Sequence, residues 1–129
     1  MAESILIVED EVLVALEMES VLQDHGYDVV GIASDLEGAL AFADLNVDLA
    51  LVDLNLRDGL TGPEIGRRLA NEHRAKVLFV TANPRLLGEG ISGTIGVLTK
   101  PTDEVSLTSA VAFALRRTAE APPSLRCFS

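Results

Sequence analysis

Short apolar runs alternate along the chain with longer stretches in which apolar positions recur every three or four residues. The runs 4–8, 27–33, 49–54, 76–81 and 95–98 are predicted strands. Most are continuously apolar, as strands buried on both faces of a parallel sheet are. Between them the period lengthens to that of helices, and the alternation predicts an α/β domain with a doubly wound, five-stranded parallel sheet.

The first helix is expected over about 12–25, with Val14, Met18, Val21, Leu22 and His25 on one face and Gly26 as its stop. The second opens on Ser34-Asp35-Leu36-Glu37 and the third on Thr61-Gly62-Pro63-Glu64, each with the pattern of a capping box, the third running to about His73. The last is expected over 103–119, with acids in its first turn and Arg116 and Arg117 near its end, as the helix dipole favours. The fourth crossover differs. It carries Gly88, Gly90, Gly93 and Gly96, each of which disfavours a helix by about 1 kcal/mol relative to Ala, so a short or irregular helix is expected there. Residues 1–120 form the expected domain and residues 121–129, with Pro122-Pro123, a flexible tail.

Composition narrows the function. The chain has 129 residues, 20 Asp and Glu against 10 Lys and Arg, and a net charge of -10. An acidic surface with no basic stripe argues against nucleic acid as a partner. The apolar run near the start is too short for a signal peptide or a membrane span, and the single Cys127 makes no internal disulfide. The cytoplasm is the expected compartment.

Charge placement carries the chemistry. The first strand ends in Glu9-Asp10 and the third in Asp53; the fourth ends at Thr81, and the fifth runs into Lys100-Pro101. In an open parallel sheet, ligands sit beyond the carboxyl ends of the strands, near the point where strand order reverses. Like charges about 4 Å apart repel by roughly 4 kcal/mol at an effective dielectric of 20, so acids gathered there call for a cation.

Over residues 3–119 this set of residues, in this order, resembles the receiver domain of two-component response regulators. The resemblance implies a CheY-like, flavodoxin-like (βα)5 fold in which Asp53 is the phosphoacceptor, taking a phosphoryl group from a histidine kinase as an acyl phosphate. It implies Mg²⁺ held by Asp10, Asp53 and the main-chain carbonyl of Asn55, with Glu9 reaching it through water. Lys100 would pair with Asp53 and then with the phosphoryl group, and Thr81 would donate its hydroxyl to a phosphoryl oxygen and draw the following loop inward. A cis Lys100-Pro101 bond is implied in the same way. The protein is then not a metabolic enzyme but a switch that catalyses only its own phosphorylation and dephosphorylation.

Three departures from the family pattern bear on mechanism. Val97 stands where most receivers carry Tyr or Phe, the loop after Asp53 reads Leu54-Asn55-Leu56-Arg57-Asp58-Gly59 without the usual Pro, and the fourth helix region is Gly-rich. Such variants resemble single-domain regulators associated with the HWE class of histidine kinases in alphaproteobacteria. Without an output domain, the chain is expected to signal through an unidentified protein or to act as a phosphate sink. The missing aromatic keeps open a phosphorylation-independent binding scaffold. A haloacid dehalogenase-type phosphatase would need a second Asp where Asn55 stands. Val14, Glu17 and Pro101 are the expected contacts for the kinase, with Leu13, Ala15 and Leu16 adding apolar surface on the first helix; His25, His73 and Cys127 are read as having no chemical role.

Overall fold

The structure, a computed structural model, describes residues 2–128. Five parallel strands, β1 (Ser4–Val8), β2 (Asp28–Ala33), β3 (Leu49–Val52), β4 (Lys76–Thr81) and β5 (Gly96–Thr99), alternate with helices α1 (Val12–Asp24), α2 (Leu36–Phe42), α3 (Gly62–Glu72) and α4 (Glu104–Ala114). A sixth strand, β6 (Leu125–Cys127), closes the order β2-β1-β3-β4-β5-β6. The period of two along each strand sorts the core into two layers. Ile5 and Ile7 pack with Ala15, Met18 and Leu22 of α1 and with Leu107 and Val111 of α4, whereas Leu6 and Val8 pack with Ala39 of α2 and Ile65 and Leu69 of α3. The chain moves outward from β1 to β2, then returns across β1 to β3, so the reversal of strand order falls between β1 and β3.

Several local expectations change. The capping box at α2 shifts by one residue: Asp35, not Ser34, is the cap and accepts the Gly38 N–H at 2.8 Å. At α3 the Thr61 hydroxyl donates to Asp58 instead of capping, because the loop from β3 folds back onto it. In α1, Ala15 is buried in place of His25, which lies exposed at the helix end; Val12, Leu13 and Leu16 are exposed. Gly26 does end that helix, at a positive φ of 86°.

The last helix stops at Ala114, earlier than expected. Arg116 takes a positive φ of 61°, its N–H bonds to the Phe113 carbonyl, and the Arg117 N–H reaches back to Ala112 at 2.8 Å, the closing turn usually made by glycine. Released there, the Arg117 guanidinium pairs with Glu3 and lies 5.1 Å from the centre of the Tyr27 ring. The fourth crossover forms only a 3-10 turn, Pro84–Leu87. The segment expected to be a loose tail contains β6, antiparallel to β5, so the sheet has six strands and is mixed. The reason is tertiary: β5 is an edge strand whose outer ladder groups need partners.

Candidate functional site

The register of β1 against β3 pairs Val8 with Val52, so the residues that follow them emerge side by side. The Asp53 N–H bonds to the Val8 carbonyl at 2.9 Å and the Glu9 N–H to the Ala33 carbonyl at 2.8 Å, which anchors both turns to the neighbouring strand. Among the described residues, Glu9, Asp53 and Thr81 are the buried polar ones, at 3%, 9% and 1% exposure, and Asp10 is exposed beside them.

Lys100 enters from the far side. Its Nζ donates to Asp53 Oδ2 at 2.8 Å and to Glu9 Oε1, bridging the two acids. The second Asp53 oxygen accepts the Leu54 N–H at 2.7 Å, and Glu9 Oε2 accepts the Glu11 N–H at 3.2 Å. Burial pushes the Glu9 carboxyl up, by more than the hydrogen bonds from Lys100 and Glu11 pull it down. For Lys100, burial acts to lower the pKa, but hydrogen bonds to Asp53 and Glu9 outweigh it and raise the value, so the amine stays charged. The peptide bond Lys100-Pro101 is cis.

One carboxylate oxygen from each of Glu9, Asp10 and Asp53 lies within 4.8 Å of the others. Hard oxygen donors at this density fit Mg²⁺, which accepts a few carboxylates and keeps the rest of its shell as water. Asn55 sits exposed in the turn after Asp53. Thr81 ends β4, and its hydroxyl oxygen accepts the Asn83 N–H at 3.1 Å, tying it to the following turn.

A family model described as the response regulator receiver domain matches residues 5–112. The chain belongs to that family. Among relatives, this receiver is 31% identical over 119 residues to the phyllosphere-induced regulator PhyR of Methylorubrum extorquens, and the match covers 89% of this chain and 44% of PhyR. It is also 31% identical to the transcriptional regulatory protein PdtaR of Mycobacterium tuberculosis, with 88% of this chain and 57% of PdtaR covered. The chain therefore spans about half the length of these curated relatives. Among solved structures, the solution structure of the PhyR receiver domain of Erythrobacter litoralis matches with a TM-score of 0.80 at 27% identity, covering 94% of this chain and 95% of that one. The response regulator PhyR of Brucella abortus matches with a TM-score of 0.79 at 28% identity, covering 91% of this chain and 49% of that one. Receivers bind Mg²⁺ at an acidic pocket, are phosphorylated by histidine kinases and signal to downstream partners. No helix among the described residues is long and apolar enough to cross a membrane.

Three further features surround the receiver's acidic pocket. Asp58 accepts the Leu36 N–H at 3.0 Å and the Thr61 hydroxyl, and Arg57 pairs with Asp35 at 3.4 Å, so the loop after Asp53 is stitched to the start of α2. Arg57 also shares a surface pocket with Glu9 and Asp10. Gly62 opens α3 directly beneath Asp53: a Cβ there would lie 2.0 Å from the Asp53 carbonyl oxygen. Its signal in the sequence is the Gly directly after a helix cap, where most residues are tolerated and glycine is otherwise unexplained.

Proposed function

We propose that this receiver accepts a phosphoryl group on Asp53 from the phosphohistidine of a histidine kinase. The observation that carries the reading is the Asp53 carboxylate, nearly buried at the strand reversal, with Lys100 on one oxygen and two further acids close by. An Asp53 oxygen attacks phosphorus, the P–N bond to the kinase imidazole breaks, and the leaving imidazole takes up a proton. Asp10, Asp53 and the Asn55 carbonyl would hold Mg²⁺, with Glu9 reaching it through water, and the ion would supply charge neutralisation to the phosphoryl oxygens.

Lys100 offsets the charge of Asp53 before transfer and follows the phosphoryl group after it, a task suited to a point charge on a flexible stem. The Thr81 hydroxyl donates to a phosphoryl oxygen, and the turn bonded to it through Asn83 shifts with it. The kinase docks at the 420 Å³ cleft between α1 and the loop after β5, which Val14, Glu17, Met18, Pro101 and Leu107 line. The kinase is of the HWE class, and the receiver works in the cytoplasm, either signalling through a protein contact or draining phosphate from a branched relay.

One observation favours a second reading, a scaffold indifferent to phosphorylation. Val97, at 1% exposure, leaves no aromatic ring at that position to follow the Thr81 shift. Intact mass after incubation with Mg²⁺ and phosphoramidate, then with a histidine kinase, separates the two. One phosphoryl group on wild type, absent from Asp53→Asn and from a metal-free control, is the expected result; no uptake from either donor supports the scaffold.

A further inference from the structure

The end of the chain has no part in the chemistry above, yet it is seated with care. β6 pairs Leu125 with Leu98, Arg126 with Val97 and Cys127 with Gly96, and the Phe128 N–H bonds to the Ile95 carbonyl at 2.9 Å. Leu125 is buried in the layer under α1 and α4, while the Phe128 ring enters the opposite layer, 6.4 Å from the Phe79 ring. Arg126 lies over Phe128 at 5.3 Å and donates to the carbonyls of Gly88 at 3.1 Å and Pro84 at 3.4 Å.

Two glycines, Gly90 in the fourth crossover and Gly96 at the start of β5, are fitted to this segment. A Cβ on Gly96 would lie 2.5 Å from the Arg126 carbonyl oxygen, and one on Gly90, which has φ +123°, would lie 2.6 Å from Phe128 Cγ. The receiving strand β5 lies within the residues that the receiver family matches, whereas its occupant lies beyond them and is short. The family match ends at residue 112, β6 has 3 residues, and the mostly exposed tether 116–124 contains Pro122-Pro123, which offer no ladder N–H. Without β6, β5 would present unpaired backbone groups beside an open ring pocket.

We propose that the edge of β5 is a strand-acceptor site for an extended segment of a partner protein that carries an apolar residue and, three positions on, an aromatic one. Residues 125–128 occupy the site as an internal mimic of that ligand. The backbone ladder supplies affinity, while the Leu125 and Phe128 pockets supply selectivity. An internal occupant weakens apparent affinity in proportion to the fraction of time the site is free. This inference does not depend on the phosphoryl chemistry.

The probe is a fluorescent peptide of residues 121–128 with Cys127→Ser, titrated into the full chain and into an Arg126→Ala, Phe128→Ala double variant. The double variant is expected to bind at least about tenfold more tightly than wild type, since its own segment competes poorly. The same peptide with Phe128→Ala should bind neither protein, and adding Gly96→Ala to the double variant should abolish binding. In wild type, saturating peptide should shift the amide resonances of residues 95–98, a readout that stands even where a variant fails to fold. Absence of both binding and shifts, equal binding of the two peptides, or binding undiminished by Gly96→Ala would overturn the site. A dimer of wild type that exchanges β6 between copies, seen by sedimentation, would assign the site to a second copy and overturn the partner.

Discussion

At the carboxyl ends of β1 and β3, each acidic side chain follows its strand by one or two residues, so the ladder that pairs Val8 with Val52 also brings Glu9 and Asp10 beside Asp53. At the β5 edge the arrangement is the reverse. Phe128 meets Phe79, and Arg126 meets Pro84 and Gly88, only because the chain returns from its far end to cover an exposed strand. The first region inherits its geometry from the sheet; the second has to be assembled. A single missing side chain should therefore remove chemistry in the first region and mainly loosen structure in the second.

The sharpest test of that contrast is Asp53→Asn, expected to abolish phosphoryl uptake by intact mass while leaving the thermal midpoint and the β6 amides close to wild type. Loss of β6 protection in that variant would show that the two regions are not separate. Next is Gly62→Ala. Its Cβ would meet the Asp53 carbonyl at 2.0 Å and Leu54 Cα at 2.5 Å, neither of which is a flexible side-chain end. Overpacking of this kind costs about 1–3 kcal/mol, read by urea denaturation, and phosphoryl uptake should fall with it as Asp53 is displaced.

Phe128→Ala should cost about 1 kcal/mol, the share expected for a half-buried ring, and leave the rate of uptake from phosphoramidate unchanged. A changed rate would mean that the crossover bonded to Arg126 transmits to Thr81, and a double-mutant cycle of Thr81→Ala with Phe128→Ala would then measure the coupling. Charge reversal of Glu17, in the cleft beside α1, should slow transfer from the kinase and spare phosphoramidate. Equal slowing with both donors would remove that cleft as the docking surface.

The smallest effect concerns pH. The Ser106 N–H holds the Asp103 carboxyl below its usual range, at the start of α4. A lowered folded pKa adds stability above the unfolded value, and that contribution disappears as pH falls through the folded one. The thermal midpoint of Asp103→Ala should therefore lie slightly below wild type at neutral pH and converge with it in acid below about pH 4. A gap that persists in acid would mean that the cap acts through packing, not charge.

The alternation of apolar runs and helical periods determined the α/β fold of this chain, because strands buried on both faces must be apolar throughout. It also made Glu9, Asp10, Asp53, Thr81 and Lys100 legible as one group, since strand ends in a parallel sheet share one rim. Where each helix ended was less legible. Gly26 announced its turn, because glycine tolerates the positive φ, but Arg116 adopts the same conformation with no local sign of it. What favours that turn is Arg117 reaching Glu3 and Tyr27, contacts with residues far away in sequence. β6 was invisible for the same reason. Leu125-Arg126-Cys127 is too short and too close to a proline pair to be read as a strand, and only the folded β5 edge, with Gly96 stripped of a Cβ and Phe79 offering a ring, gives it a place to pair.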